Sequence, residues 1–371
     1  MECNYFGKCG SCTLHEMSYE DQLLFKLEQT RSEFGEFFDK EVEIFASKQK
    51  HFRARAEFRI YHSDGKISYA MNGRVKGEIV PIDECLIVDR AIYDLMPKLL
   101  SRLQDLKVEQ RLFGIEFLSS SRGEVAVTLL YHKKVDEQMR SILSRLADEL
   151  SISIIARSRG ERVVFGRDHI VEELMVDGKK YYYKQIEASF TQPNRGVNEQ
   201  MISWSLKDLK FCDADLLELY CGAGNFTIPF ASRFANILAT EISKSSIAAA
   251  KANLLLNGVH NTQFARLSSE ELRSALLRER AFKRLEGVDL AKFNLMTLFV
   301  DPPRSGLDPK TLEFASGFSQ VIYISCNPAT LKRDLEVLCK THSVVSMAIF
   351  DQFAHTNHLE MGVKLLRKAQ I

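Results

Sequence analysis

The second half of the chain alternates short apolar runs with helical segments, and this alternation limits the fold more than any other feature. The apolar runs predict buried strands at residues 215–220, 237–241, 297–300 and 321–325. The segments between and after them predict helices at residues 226–234, 243–256 and 330–339. Continuously apolar strands that alternate with helices are typical of a parallel sheet covered on both faces. We therefore expect a doubly wound α/β domain in this half.

The first half lacks this regular alternation and predicts a separate α+β domain. We expect helices at residues 18–38, 91–104 and 136–150, and strands at residues 53–62, 113–118 and 124–130. Ser63-Asp64-Gly65-Lys66 has the composition of a hairpin turn after the first of these strands. The predicted organisation is a Cys-rich segment at 1–15, an α+β domain at 16–180 and a second domain at 181–371.

The charge balance limits the kinds of partner. Lys and Arg number 50 and Asp and Glu 49, which gives a net charge of +1 over 371 residues. A nucleic acid must then be held by a local basic patch or a shaped pocket rather than by a uniformly basic surface. No apolar run has the length of a membrane span, and the N-terminus lacks the features of a secretion signal. We expect a cytoplasmic protein with no membrane partner, whose eight cysteines are not disulfide-bonded.

Two glycines follow the first buried strand, at the start of a helix. Gly222-Ala223-Gly224 lets backbone amides approach a ligand at the helix N-terminus. Glu241 ends the next strand, 19 residues after Gly222, which is the spacing of a carboxylate that binds ribose hydroxyls. Thr227 stands where a dinucleotide-binding fingerprint has its third glycine. A ligand with a single nucleoside, such as S-adenosylmethionine (SAM), therefore fits this turn better than a dinucleotide does. The alternative is a tight turn beside a surface acid.

Two further strand ends carry reactive groups. Asp301, which opens the sequence Asp-Pro-Pro-Arg, should place its carboxylate over the ligand crevice of the sheet, although a rigid surface turn is the alternative. Cys326 lies between a buried strand and a helix, whose N-terminus can lower the thiol pKa and favour the nucleophilic thiolate. The alternative there is a buried structural cysteine. The segment 355–360, with His355, His358 and Glu360, offers an acid or base, but its spacing matches no specific zinc pattern.

Three cysteines lie close together near the N-terminus, in a Gly-rich context. Cys3, Cys9 and Cys12 favour thiolate coordination of a metal, and Cys85 is the best fourth ligand. The alternative is an N-terminal segment with free thiols.

At these motifs the sequence resembles the bacterial tRNA (uracil-54-C5)-methyltransferases, TrmA-type members of the RNA 5-methyluridine methyltransferase family. The resemblance runs from about residue 50 to the C-terminus, with its motifs in the same order along the chain. The matching motifs are residues 52–60, 129–134, 189–194, 217–222, 239–242, 300–308, 325–328 and 350–353.

The resemblance implies a C-terminal Rossmann-like class I SAM-dependent methyltransferase domain and an N-terminal α+β RNA-binding domain. It implies that Cys326 is the nucleophile and Glu360 the proton acceptor. The implied SAM-binding residues are Gln192, Tyr220, Asn225, Glu241 and Asp301. The implied reaction is SAM-dependent formation of 5-methyluridine in the T-loop of tRNA, through a covalent bond between the cysteine and C6 of uracil. The expected partner is the T-arm of tRNA rather than DNA, and the protein is expected to be a monomer.

The N-terminal cysteines also resemble the iron–sulfur ligands of the related ribosomal-RNA 5-methyluridine enzymes. A 4Fe-4S cluster is therefore a second candidate cofactor, and methylation of 23S ribosomal RNA is the nearest alternative function. A non-catalytic RNA-binding protein and a small-molecule methyltransferase are further alternatives. Basic side chains of the first domain are candidate RNA contacts, although a solvated strand face explains any one of them equally well: Arg53, Arg55, Arg59, His132, Lys133 and Lys134.

Overall fold

The structure is a computed structural model and describes residues 2–369. Its α-helices are α1 (Tyr19–Phe34), α2 (Arg90–Asp105), α3 (Glu137–Leu150), α4 (Arg195–Leu206), α5 (Thr227–Phe230), α6 (Lys244–Leu256), α7 (Ser269–Leu276), α8 (Pro309–Ala315) and α9 (Pro328–Leu338). Within the described residues, no helix has the length and apolar character needed to cross a lipid bilayer.

The strands form three sheets. In chain order they are β1 (Glu43–Phe45), β2 (Arg55–Ser63), β3 (Lys66–Asn72), β4 (Ile79–Ile82), β5 (Leu112–Ser119), β6 (Val125–Tyr131), β7 (Ser153–Ser158), β8 (Glu161–Phe165), β9 (Ile170–Val176), β10 (Lys179–Gln185), β11 (Asp215–Leu219), β12 (Ile237–Thr240), β13 (Thr262–Ala265), β14 (Leu295–Val300), β15 (Gln320–Ser325), β16 (His342–Phe350) and β17 (Glu360–Arg367).

The second half forms the expected doubly wound domain. Its sheet has the order β1-β16-β17-β15-β14-β11-β12-β13. Strands β11 to β15 pair in parallel, whereas β17 runs antiparallel to both β15 and β16. Every residue of β11, β12 and β15 is buried, because helices cover both faces of the sheet. The Rossmann-like α/β fold predicted from the sequence is confirmed.

Local sequence explains where the helices next to the sheet begin. Ser243 caps α6 through its side chain, which accepts a hydrogen bond from the amide of Ser246. Asn327 caps α9 in the same way, and Pro328 follows as the first helical residue, where its missing amide proton costs nothing. Both helices therefore start immediately after the strand ends that carry candidate site residues.

The first half is built around a seven-stranded sheet with the order β4-β3-β2-β5-β6-β7-β8. Most neighbours are antiparallel, and the predicted hairpin joins β2 to β3 at Ser63 and Lys66. One feature differs from the expectation, because β6 and β7 pair in parallel through α3 and so form a βαβ unit. Helices α2 and α3 cover one face of the sheet and share its apolar core.

Helix α1 and strand β1 pack mainly with the second half of the chain, although Tyr19 also packs with Phe52 and Ile87 of the first half. Leu27 and Phe34 of α1 belong to the core of the eight-stranded sheet. Strand β1 pairs in parallel with β16 at the edge of that sheet. The hairpin of β9 and β10 forms a small sheet of its own beside α4 and α6. The predicted domain limits remain a prediction, but α1 and β1 lie outside the body to which that prediction assigned them.

Candidate active site

A cavity lies at one edge of the eight-stranded sheet, where β11 and β14 end side by side. The chain crosses from β11 to β12 on one side and returns to β14 on the other, so the strand order reverses here. Ligands of doubly wound sheets bind in the crevice at such a reversal. The lining of this cavity includes Gln192, Tyr220, Asn225 and Asp301. Four of the five predicted SAM-binding residues are therefore brought together, while their roles stay a prediction.

The turn after β11 has a backbone conformation that few residues adopt. Gly222 and Gly224 have φ angles of +54° and +86°, where a side chain would be strained. The Glu241 carboxylate holds this turn, because Oε2 accepts from the Gly222 amide at 3.2 Å and Oε1 from the Ser243 amide at 2.8 Å. Glu241, the fifth predicted SAM-binding residue, thus braces the turn from outside the cavity lining.

The amide side chains of the cavity are fixed by other amides. Asn225 exchanges two hydrogen bonds with Asn198 of α4, at 2.8 and 2.9 Å. Gln192 accepts from Nε2 of Gln352 at 3.0 Å, and Gln352 in turn accepts from the Asn194 amide. These partners fix the orientation of each side chain before any ligand binds, which lowers the entropy lost on binding.

Cys326, Glu360 and Asp301 meet beside the cavity. Ser325 at the end of β15 pairs with Met361 of β17, so Cys326 and Glu360 are the next residues outward on adjacent strands. Burial raises the pKa of Glu360 well above its usual range, and the nearby Asp301 raises it further. Burial also raises the pKa of Asp301, to about 7. Arg304, which follows Asp301 after two prolines, lowers the pKa of Glu360.

The pKa of the Cys326 thiol differs from the expectation. The helix N-terminus was expected to lower its pKa, but burial raises the pKa above its usual value, and Glu360 and Asp301 add to the effect. Arg304 opposes them by lowering the pKa. Desolvation and two nearby carboxyl groups therefore dominate the pKa of this thiol, which is protonated at neutral pH in the absence of a ligand.

A second, larger cleft of about 730 Å³ lies between the two halves of the chain and reaches Arg304 and His358. Two of the predicted RNA contacts, Arg53 and Arg55, line this cleft, but their side chains already donate hydrogen bonds to backbone carbonyl groups of the protein. Arg55 donates to the carbonyl groups of Ser189, at 2.6 Å, and Glu187. Arg53 is half-buried and donates to the carbonyl of Arg55.

The other candidate RNA contacts are available at the surface. Arg59, His132 and Lys134 are exposed, and Lys133 is half-buried. His132 stacks on the exposed ring of Phe113, with 4.0 Å between the ring centroids. Basic groups next to an exposed aromatic pair form a surface of the kind that binds unstacked RNA bases.

The residues present do not form the predicted iron–sulfur site. Cys3, Cys9, Cys12 and Cys85 are all half-buried free thiols that lie close enough to influence one another electrostatically. Burial, together with the charge of the neighbouring thiols, raises the pKa of Cys12 to about 12 and that of Cys85 to about 11, so both thiols are protonated while no metal is bound. In residues 2–369, no group of three or more His, Cys, Asp or Glu side chains is arranged to hold a metal ion. The expectation of a 4Fe-4S cluster, and with it the ribosomal-RNA alternative, is not supported.

Sequence reasoning missed several residues that shape the site. Gln352 and Asn198 orient the amides of the cavity, and Arg55 holds the segment that closes one side of it. Glu218, inside β11, is a buried acid that also lines the cavity. The sequence carried some signals for them: Arg55 was a candidate RNA contact, Gln352 lies in the matching motif 350–353, and Glu218 is an acid within a mostly apolar strand.

The strand order, the antiparallel strand β17 between β15 and β16, and the cavity at the order reversal define a Rossmann-like fold of the class I methyltransferase type. Comparison with known proteins identifies the family within this class. Residues 18–368 match the family described as tRNA (Uracil-5-)-methyltransferase. The chain belongs to that family.

Individual relatives resemble the chain over its full length. A "tRNA/tmRNA (uracil-C(5))-methyltransferase" of Sulfurimonas denitrificans is 52% identical over 369 residues, which cover 99% of this chain and 100% of that protein. A protein of the same name from Campylobacter concisus is 48% identical with the same coverage. The crystal structure of a Pyrococcus abyssi tRNA (uracil-54, C5)-methyltransferase in complex with S-adenosyl-L-homocysteine has a TM-score of 0.74, with 23% identity, and covers 96% of this chain and 86% of that one. That similarity bears on the fold alone.

Proposed function

We propose that the protein transfers a methyl group from SAM to C5 of a uracil in tRNA, at position 54 of the T-loop, through a covalent intermediate on Cys326. The membership of the family and the names of the full-length relatives support the reaction and the class of RNA. The observation that carries the covalent route is the meeting of Cys326, Glu360 and Asp301 beside the cavity at the sheet edge.

The cavity suits a nucleoside methyl donor. Its lining combines a glycine-containing turn, the aromatic ring of Tyr220 and the amides of Gln192 and Asn225, while Glu241 closes the turn from behind. Such groups can hold an adenine ring, ribose hydroxyls and an amino-acid end. When bound, SAM supplies an electrophilic methyl group on a positively charged sulfur.

Cys326 has the central chemical task, because C5 of uracil is a weak nucleophile. The thiolate adds to C6, and the electrons of the C5–C6 double bond move toward O4, which makes an enolate with an electron-rich C5. C5 then takes the methyl group, and the sulfur that carried it keeps the electron pair of the broken bond. Glu360, in its carboxylate form, takes the proton from C5, and its raised pKa favours holding that proton. The double bond forms again and Cys326 leaves as thiolate.

The half-buried Cys326 thiol must lose its proton to solvent before it can attack. Its raised pKa means that this happens efficiently only when uracil and donor have entered the site, because the cationic donor and Arg304 then favour the anion. Thiolate formation is thus tied to the presence of both substrates, which limits side reactions of a free thiolate.

The target base is stacked inside the folded T-loop and must be turned outward to reach Cys326. Turning it out costs a few kcal/mol, which contacts to the shape of the loop offset. The exposed Phe113–His132 pair and the basic groups Arg59 and Lys134 support the first half of the chain as the surface that binds the T-arm.

The covalent route is tested with a T-arm RNA that contains 5-fluorouridine at position 54. Fluorine replaces the proton that Glu360 removes, so we expect a stable bond between RNA and wild-type protein that mass spectrometry locates at Cys326. Cys326→Ala should lose both the bond and methyl transfer, while unmodified T-arm RNA and a ribosomal-RNA transcript serve as control substrates. Methyl transfer by Cys326→Ala would disprove the covalent route.

The role of Glu360 has a separate readout. With ordinary T-arm RNA, Glu360→Gln should still form the covalent bond and transfer the methyl group, but it should release the product slowly. The adduct should therefore accumulate in this variant and not in the wild type. Turnover at the wild-type rate would remove Glu360 from the role of base.

A further inference from the structure

Glu218 is a buried acid that the methyl-transfer steps do not use. It is the fourth residue of β11 and only 1% exposed, and it lines the donor cavity together with Tyr183, Asn225 and Asp301. Among the described residues, Oε2 of its carboxyl group finds no hydrogen-bonding partner. An unpartnered polar atom in such a position is costly unless a ligand completes it.

The surroundings of Glu218 favour its neutral form while the cavity holds no ligand. Burial raises its pKa to about 8, Asp301 after β14 raises it further, and the hydroxyl and amide of Thr227 lower it. Tyr183 from β10 and Cys221 after β11 are ionisable neighbours that are themselves buried and uncharged. Lys184 of β10 is the lysine in the lining of the same cavity. Among the described residues, no group that shifts the pKa of Glu218 is a cation.

The reactive end of the donor must lie near this acid. Asp301 influences the pKa of Glu218 on one side and those of Cys326 and Glu360 on the other. The methyl group must reach a base held by Cys326, so the sulfur that carries it lies at the end of the cavity next to Asp301. A positive charge at that place is within electrostatic range of Glu218.

We propose that Glu218 distinguishes the donor from the spent product by charge, releasing its proton when a sulfonium enters the cavity and regaining one when a neutral thioether remains. This inference rests on the proposed use of SAM. On binding, the O–H bond of Glu218 breaks, the electron pair stays on the carboxylate and the proton passes to the buffer. After methyl transfer the sulfur is neutral, so the carboxylate takes up a proton again and the product is held less tightly.

The direction of the pH effect follows from this exchange. The donor favours ionised Glu218, so its affinity should rise with pH between about 6.5 and 8 and level off above the pKa of the free site. If the bound cation lowers the pKa of Glu218 by one pH unit, the affinity gains about tenfold. S-adenosylhomocysteine, which carries no charge on sulfur, should show a much smaller rise.

The test is calorimetric titration of the protein with SAM and with S-adenosylhomocysteine, without RNA, in buffers of different ionisation enthalpy. We expect the wild type to release more protons with SAM than with S-adenosylhomocysteine. In Glu218→Gln this difference should disappear, and above a pH of about 8 the preference for SAM should fall about tenfold for each pH unit by which the bound cation lowers the pKa of Glu218. Because Asp301 and Glu360 also titrate, the proton count assigned to Glu218 is the difference between wild type and Glu218→Gln.

Glu241→Gln is the matched control, since Glu241 braces the turn rather than facing the sulfur. It should weaken both ligands alike and leave their ratio unchanged. An unchanged ratio and proton count in Glu218→Gln would overturn the inference while leaving the proposed function intact. If that variant does not fold, equal pH dependence of the two ligands in the wild type overturns it. Failure of the wild type to bind SAM at all would instead refute the proposed function.

Discussion

At the scale of single residues, the ionisation of Cys326 depends on what surrounds it. Burial and the neighbouring carboxyl groups raise its pKa, and Arg304 is the cation among its described neighbours that lowers it. Arg304 is itself exposed, but its carbonyl accepts hydrogen bonds from the side chains of Asn327 and Thr330, which hold its backbone next to Cys326. Its guanidinium is therefore a nearby charge on a fixed backbone.

Replacing Arg304 should change the pH dependence of the Cys326 thiol. In Arg304→Gln the pKa of Cys326 should rise further, so the midpoint of its reaction with iodoacetamide should move to higher pH. At a pH below the midpoint, labelling should slow about tenfold if the pKa of the thiol rises by one pH unit. The measurement is the rate of alkylation of the Cys326 peptide by mass spectrometry across a pH series, because other cysteines also react.

Lys332→Gln, which removes a half-buried charge paired with Glu36, is the control and should leave the profile unchanged. A change in the limiting rate at high pH with the same midpoint would indicate altered access instead. Such a result would contradict an electrostatic role for Arg304.

At the scale of elements, the active site depends on contacts between segments far apart in the chain. The segment after β16 carries Asp351 and Gln352, and it is fixed to α1 by a buried ion pair. Nζ of Lys26 lies 2.5 Å from the Asp351 carboxylate, and the Tyr19 hydroxyl donates to the same carboxylate at 2.6 Å. Helix α1 therefore positions the segment whose Gln352 orients Gln192 in the cavity.

Breaking this ion pair on one side should destabilise the fold strongly. Lys26→Met leaves the buried Asp351 carboxylate without its cation, and we expect a loss of about 3–5 kcal/mol in the free energy of unfolding. Urea denaturation followed by circular dichroism measures this loss. The double variant Lys26→Met/Asp351→Leu removes the unpaired charge and should recover a large part of it, whereas equal losses in both variants would argue against a buried charge as the cause.

The pairing of β15 with β17 is a second contact of this kind. It sets Cys326 next to Glu360 although the two residues are separated along the chain by α9 and β16. Because side chains alternate along a strand, a slip by one residue would turn Glu360 to the opposite face of the sheet. The register of β17 is thus as important to the chemistry as the identity of the acid.

At the scale of the whole molecule, the two halves meet at the segment 186–190. Arg55 of β2 donates to the carbonyl groups of Ser189 and Glu187, and Arg162 of β8 pairs with the Glu187 carboxylate at 2.8 Å. The same segment contributes Ser189 and Phe190 to the donor cavity. The first half of the chain can therefore influence the cavity through a direct contact.

Loosening this contact should weaken donor binding. Arg55→Met removes charge-assisted hydrogen bonds, each worth about 1.5–3 kcal/mol, so we expect the affinity for SAM to fall by about tenfold or more. Calorimetric titration gives the affinity, and thermal unfolding checks that the variant is folded. Arg145→Met, at an exposed site on α3, is the control. Unchanged SAM affinity in Arg55→Met would show that the segment 186–190 is held without Arg55.

The sequence by itself determined the features that depend on neighbouring residues. The alternation of apolar runs and helices specified the doubly wound sheet, and the ends of its strands located Asp301 and Cys326 at one edge. The Gly222–Gly224 turn could also be predicted from the sequence, because its positive φ angles favour glycine at these two positions. Parallel strands all end at the same side of the sheet, so the position of these residues followed without knowledge of distant contacts.

Only the tertiary structure decided the features that depend on distant parts of the chain. Packing against the second half, rather than any local pattern, placed α1 and β1 with the eight-stranded sheet. Arg55 became a structural contact, and the pKa values of the Cys12 and Cys85 thiols rose, because of what folds against them. The protonation of Cys326 and Glu218 was also decided by the tertiary structure. Burial and nearby charges set the pKa of each group, and neither burial nor these charges can be predicted from the residues next to it in the sequence.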